Sequence, residues 1–286
     1  MKIAVTSASG KLGASIIQTL VKELGTNQVI GIARTPEKAK HLGVEVREGD
    51  YNNREQFDAA LQGIDSVLLV SGMDDPQKRI IQHRNVIEAA KQNNVKKIVY
   101  TSIVGAEEGN AFSPIVQTNR QTEQDIINSG LDYVIGRNGI YIEPDLEYID
   151  TYVKDGEIKN CAAEGICTYT SRAELGFAYA KMLLGNKHNG NVYNLVGNGI
   201  TQHELTSLIN QVYQTKLVYH SVSVKDYKAD RIGALGEFLG TIIAGIYEGI
   251  KSGADDVPSD YKTAAGRSHK STLEIIKDFY ETNLNN

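Results

Sequence analysis

Three groups of residues have the types and spacing to do chemistry. The first, Thr6-Ser7-Ala8-Ser9-Gly10-Lys11-Leu12-Gly13, follows an apolar run (Lys2 to Thr6) and opens a stretch with Leu12, Ile16 and Leu20 at helical spacing. A glycine turn between strand and helix lets backbone N–H groups approach a pyrophosphate, which the helix dipole also favours. Gly10 and Gly13 stand three apart, but the first glycine of the usual Gly-x-Gly-x-x-Gly is Ser7. If that position needs a positive φ, serine is strained by roughly 1 kcal/mol or more. The second group, Ala33-Arg34-Thr35-Pro36-Glu37-Lys38, ends the next apolar run with no acid before Arg34. An acid there would take the 2′-hydroxyl of NAD. Arg34 and Lys38 suit a 2′-phosphate instead, so the expected cofactor is NADP; the alternative is two solvated surface cations. The third, Glu48-Gly49-Asp50-Tyr51, falls where the adenine edge should lie. Asp50 can accept from the exocyclic amine or cap the helix that begins near Asn53.

A different pattern is missing. Alcohol chemistry on such a frame uses Tyr-x-x-x-Lys on the helix after the fifth strand, where the lysine lowers the tyrosine pKa. The helical stretch at about 117–129 has neither residue, and Tyr247-Glu-Gly-Ile-Lys251 comes far too late and reads as chance. Hydride transfer to a ketone leaves an alkoxide that needs a proton donor. Transfer to a quinone leaves a hydroquinone anion whose conjugate acid lies near about 10, so it needs little help. His83 sits in an apolar-spaced helix and reads as an interior histidine. The two cysteines, Cys161 and Cys167, make no disulfide framework. No metal-ligand set is read.

These residues need a frame to position them. Apolar runs at Lys2 to Thr6, Val29 to Ala33, Val44 to Arg47, Ser66 to Val70, Lys97 to Thr101 and Tyr133 to Gly136 read as strands. Helical patterns lie between them near 11–23, 36–41, 53–62, 77–94 and 117–129. Apolar strands alternating with helices predict an α/β fold, a Rossmann-type doubly wound parallel sheet. A helix near 172–185 and a strand near Val192 to Val196 would complete it, and from about 200 the chain reads as helix, strand (Leu217 to His220), then helices. The expected division is an NADP-binding domain, 1–140 plus about 166–198, and a smaller C-terminal α/β substrate domain, 141–165 and 199–286. A net charge of −5 without a basic run argues against nucleic acid as a partner. The apolar stretch Ile232 to Ile250 is broken by five glycines and two glutamates, and no membrane span is read. No signal peptide is read either, and the expected location is cytoplasmic.

The segments Ser9 to Gly13, Arg34 to Lys38, Gly49 to Tyr51, Gln82 to Ile87, Tyr100 to Ser102, Thr122-Glu123 and Arg137 to Tyr141, in this order and spacing, resemble the NmrA-like branch of the atypical short-chain dehydrogenase/reductases. The likeness is greatest to its type 2 NAD(P)H:quinone oxidoreductases and spans the chain, loosely after about residue 200. The resemblance implies NADPH on Ser7, Ser9, Gly10, Lys11 and Leu12, with its 2′-phosphate on Arg34 and Lys38 and its adenine near Asp50 and Tyr51. It places Val70, Ser71, Gly72, Thr101 and Ser102 along the cofactor, and Asn138 and Tyr141 beside the nicotinamide and the substrate cleft. Ser102 could instead cap a turn, and Tyr141 could pack between domains. Where relatives carry a histidine four residues before the glutamate, this chain has Asn119, which cannot titrate. The implied function is NADPH-dependent hydride transfer to a quinone or similar conjugated acceptor, with Tyr141 and Asn119 at the reacting centre. The alternative is a non-catalytic NADP(H)-binding redox sensor of the NmrA type, acting through a protein partner.

Overall fold

The computed structural model describes residues 1–284. Six strands come first: β1 (Ile3–Val5), β2 (Val29–Ala33), β3 (Glu45–Glu48), β4 (Ser66–Leu69), β5 (Lys97–Ile103) and β6 (Asp132–Asn138). After a short strand β7 (Glu157–Asn160), β8 (Asn191–Leu195) joins them. Among the described residues these seven form one sheet, ordered β3-β2-β1-β4-β5-β6-β8, with every pairing parallel. The protein has the expected Rossmann-type α/β architecture.

The central strands are apolar runs because both sheet faces are covered. Ile3, Val5, Leu68, Val99 and Val134 point into one core, and Ala4, Val67, Leu69, Ile98, Tyr100 and Ile135 into the other. On the first face lie α1 (Lys11–Leu24) and, later in the chain, a helix at Arg172–Leu183. On the second lie α2 (Arg54–Ala60), α3 (Pro76–Gln92) and α4 (Ser113–Ile127). Leu12, Ile16 and Leu20, the helically spaced residues of α1, enter the first core together.

Boundaries differ from the sequence reading where proline or short length governs. Helix α4 starts at Ser113 rather than about 117, because Pro114 occupies its first turn, where the missing N–H costs nothing. The segment read as a helix at 36–41 is a 3₁₀ helix, Pro36–Leu42, ended by Gly43 in the left-handed region. Asn53 caps α2 by accepting from the Gln56 N–H, so Asp50 is not the cap. Asp50 instead accepts from the Asn52 N–H and side-chain amide, both at 2.9 Å.

Beyond β6 the chain forms α5 (Glu143–Glu147), α6 (Ile149–Asp155), α7 (Arg172–Leu183), α8 (Gln202–Tyr213), β9 (Val218–Ser221), α9 (Val224–Leu235), α10 (Glu237–Lys251), α11 (Tyr261–Ala265) and α12 (Thr272–Leu284). Strands β7 and β9 pair in parallel as a separate sheet. A third core gathers Ile142, Leu146, Leu205, Ile209, Ile250 and Ile276. The chain crosses between cores near Thr170, with Tyr169 in the third and Leu175 in the first. No helix among the described residues is long and apolar enough to cross a membrane.

Candidate active site

Strand β1 pairs with β2 on one side and β4 on the other, so connections diverge there and leave a crevice at the carboxyl ends of the strands. A cavity of about 930 Å³ opens along it. It is lined by Ser7, Ser9, Gly10, Lys11 and Leu12 after β1, Arg34 and Lys38 after β2, and Asp50 and Tyr51 after β3. Val70, Ser71 and Gly72 follow from β4, Thr101 and Ser102 from β5, and Asn138 and Tyr141 from β6, with Asn119 on α4. Residues spread over more than a hundred positions of sequence thus face one space.

The turn after β1 is shaped by two positions. Ser7 adopts φ +52°, the left-handed conformation that the missing glycine would take without strain. A Cβ on Gly13 would drive into the Ser7 carbonyl oxygen, so only glycine lets α1 start this close to the strand. Gly10 precedes α1 with no side-chain cap, leaving the first N–H groups of the helix available to an anion. Arg34 and Lys38 are exposed, and neither is in an ion pair among the described residues. Uncapped helix N–H groups at one point and two uncommitted cations farther along fit a dinucleotide carrying a 2′-phosphate.

Tyr51 ties the strand ends together. Its hydroxyl donates to the Val70 carbonyl at 2.6 Å, so the hydroxyls of Thr6 (2.6 Å) and Ser7 (3.1 Å) donate to it. Thr6 in turn accepts from the Val70 N–H at 2.9 Å. Burial pushes the Tyr51 phenol up to about 12. Its ring stacks on Phe57, which fixes the loop after β3.

After β4, the Ser71 N–H donates to Thr101 Oγ1 at 2.8 Å, and the Gly72 N–H donates to His83 Nε2 at 3.0 Å. His83 Nδ1 therefore carries the proton, toward Thr122 Oγ1 at 2.9 Å. Burial, with Arg79 nearby, pushes His83 down to about 3, so it is a neutral interior histidine that holds the Gly72 loop. Asn119 is held by four hydrogen bonds. Its Oδ1 accepts from Tyr100 (2.6 Å), Ser71 (3.0 Å) and Arg79 (3.4 Å), and its Nδ2 donates to the Ile115 carbonyl.

Ser102 does not cap a turn; its hydroxyl donates to buried Glu123, which also takes Arg120 and bidentate Arg137. The Thr122-Glu123 motif thus braces β5, β6 and α4. The Asn138 amide accepts from Tyr179 at 2.6 Å and donates to Tyr141 Oη at 2.9 Å, which sets the Tyr141 ring at the cavity wall. Burial pushes the Tyr141 phenol up to about 12. Lys11 and Arg172 both pair with Glu147 at 2.8 Å.

Sequence reasoning missed part of the cavity. Helix α10 supplies an apolar wall of Leu239, Ile242, Ile243 and Ile246, with Tyr247 beside Asp145. Asp145 is buried and accepts from Tyr152, Tyr247 and Tyr169, and burial raises its pKa. The spacing 239, 242/243, 246 carried that signal inside a stretch read only for membrane crossing. Arg79 also faces the cavity, and its place four residues before His83 on the buried side of α3 was the available sign.

A sequence-family profile described as NAD(P)H-binding matches residues 7–174. Quinone oxidoreductase 2 of Escherichia coli is 34% identical over 233 residues, 79% of this chain and 80% of that protein. An NmrA-like family domain-containing oxidoreductase of Aspergillus flavus is 28% identical over 88% of this chain and 86% of its own length. The crystal structure of Citrobacter sp. triphenylmethane reductase complexed with NADP(H) superposes with a TM-score of 0.89 at 35% identity, covering 97% of this chain and 99% of that one. The chain belongs to the NAD(P)H-binding, NmrA-like family. NADP(H) is the cofactor of this family member, and the turn after β1, with the cations Arg34 and Lys38 after β2, fits that ligand.

Proposed function

We propose that this protein is an NADPH-dependent oxidoreductase for quinones or similarly conjugated acceptors, working without a tyrosine–lysine pair. One observation carries the reading. The two residues of α4 that face the cavity one turn apart are Ile115 and Asn119, and neither titrates. Bound NADPH supplies the hydride. In this reading Gly10, Lys11 and Leu12 hold the pyrophosphate with Ser7 and Ser9, and Arg34 and Lys38 hold the 2′-phosphate. Asp50 and Tyr51 border the adenine; Val70, Ser71, Gly72, Thr101, Ser102 and Asn138 border the rest of the cofactor. Residues 1–140 with about 166–198 form the cofactor unit, and the remainder closes the acceptor site. The Tyr141 ring and the α10 wall orient a flat apolar acceptor and exclude water. The Tyr141 hydroxyl keeps its proton, since burial raises its pKa, and a hydroquinone anion near about 10 is protonated by water. The likeness to quinone oxidoreductase 2 supports this reading.

Steady-state NADPH oxidation with 1,4-benzoquinone and menadione tests it. Turnover is expected with no essential acid titrating between roughly pH 6 and 8. Tyr141→Phe should retain most of the rate, and Tyr141→Ala should raise KM. A loss of about a hundredfold in kcat for Tyr141→Phe would make its hydroxyl the proton donor. Tight NADPH binding without turnover on any acceptor would favour the redox-sensor alternative.

A further inference from the structure

Arg79 is a buried cation with no counter-ion among the described residues. It is 3% exposed, and it lines the cavity. Its Nη2 donates to Ser71 Oγ at 2.6 Å and to Asn119 Oδ1 at 3.4 Å, both neutral acceptors. Its Nε is buried without any partner. No carboxylate among the described residues pairs with it. The acids that line the same cavity are committed elsewhere: Asp50 to Asn52, Asp74 to Lys78 and Gln82, Asp145 to its tyrosines. A guanidinium stays charged even where burial works against it. Leaving such a charge uncompensated is costly, so its surroundings favour an anion entering or forming beside it.

The position of Arg79 says which end of the cavity it serves. The phosphate-binding features, the start of α1 and the Arg34–Lys38 pair, lie at β1 and β2. Arg79 lies past β4, against Asn119, one turn along α4 from Ile115. Ile115 packs with Phe112, Ile242 and Ile246 in the apolar wall. The guanidinium therefore stands where the cofactor-lining loop after β4 meets this apolar wall.

We propose that Arg79 is a specificity-determining residue that favours acceptors gaining negative charge on reduction over acceptors that enter as cations. The inference rests on the reductase reading above. In the quinone reaction the C–H bond of the reduced nicotinamide breaks and its electron pair moves with the hydrogen to the acceptor. One quinone oxygen becomes a hydroxyl and the other a phenolate, which later takes a proton from water. The guanidinium stabilises that phenolate as it forms. A cationic triphenylmethane dye takes the same hydride at its central carbon and becomes neutral. Arg79 opposes binding of that dye and has no product anion to stabilise.

The test compares menadione, which is neutral, with crystal violet, a cationic dye, in NADPH oxidation by the unsubstituted protein, Arg79→Leu and Arg79→Lys. The unsubstituted protein should show a kcat/KM at least about tenfold higher for menadione. Arg79→Leu should lose about tenfold or more in menadione kcat and gain on the dye. Arg79→Lys should keep the order of preference. A binding arm, calorimetry of the NADP-loaded protein with 2-hydroxy-1,4-naphthoquinone anion and with crystal violet, reads the same selectivity without turnover. Failure to reduce either acceptor would sink the reductase reading, while the binding arm would still decide the role of Arg79. The role is overturned if the unsubstituted protein prefers the dye, or if Arg79→Leu leaves the anion-to-cation ratio unchanged. If Arg79→Leu does not fold, the ratio in Arg79→Lys and in the unsubstituted protein decides.

Discussion

Ser7 holds a backbone conformation that its Cβ makes costly, and its hydroxyl recovers part of that cost through Tyr51. Replacing it by glycine removes about 1 kcal/mol of left-handed strain and a hydrogen bond of about the same worth. Ser7→Gly should therefore leave stability within about 1 kcal/mol in urea melts and leave NADPH affinity equal or better by calorimetry. Affinity weakened by about tenfold would show that the Ser7 hydroxyl itself touches the cofactor. Tyr51→Phe is the contrasting change. It strips partners from the Val70 carbonyl and the Thr6 and Ser7 hydroxyls, and should cost about 1–3 kcal/mol. The residues that could be read directly, Gly10, Gly13, Arg34 and Lys38, act through local backbone or their own charge. Tyr51 could not be read this way, because its partners come from β1 and β4, 19 to 45 positions away.

At the scale of elements, α10 is the piece that turns a cofactor groove into an acceptor cavity. Gly245 brings it against the backbone of Ala111 and Phe112, where a Cβ would clash. Alanine is a better helix former than glycine by about 1 kcal/mol, so Gly245→Ala leaves α10 intrinsically more helical. Any defect then reports its docking. We expect a raised KM for quinones and an unchanged Kd for NADPH; a weakened NADPH Kd would show that α10 also supports the cofactor half. The main strands were legible because burial on both faces makes each a continuous apolar run. Strand β7, with sequence Glu-Ile-Lys-Asn, and the short helices α5 and α6 carry no such run, and their form depends on β9 and the third core.

For the whole molecule, two buried groups give opposite pH slopes to folding stability. Burial pushes the Asp255 carboxyl up from 3.8 to about 7, so between those values the folded chain holds a proton that the unfolded chain has lost. Its contribution falls as pH rises through that window. His83 moves down from 6.5 to about 3, so the unfolded chain binds a proton that the folded one refuses, and stability falls as pH drops below 6.5. Asp255→Asn should therefore gain about 2–4 kcal/mol in chemical denaturation near pH 8 and little near pH 4. An equal gain at both would show that the carboxyl does not titrate with folding. Asp255 lies after α10, where Thr168 donates to its carbonyl and ties that helix to the third core.

The sequence by itself determined the architecture, the preference for NADP and the absence of a tyrosine–lysine pair from the helix after the fifth strand. Each rests on short-range information: apolar runs with turn residues between them, a glycine turn, a strand end with cations and no acid, a helix without tyrosine, lysine or histidine. The tertiary structure alone decided that Asn119 is spent on Tyr100, Ser71 and Arg79, that α10 faces the crevice, and that Arg79 stands buried without a carboxylate. Those properties depend on which distant residues fill the space around a group. A charge unpaired in sequence becomes informative only once the fold shows that no neighbour from another element compensates it.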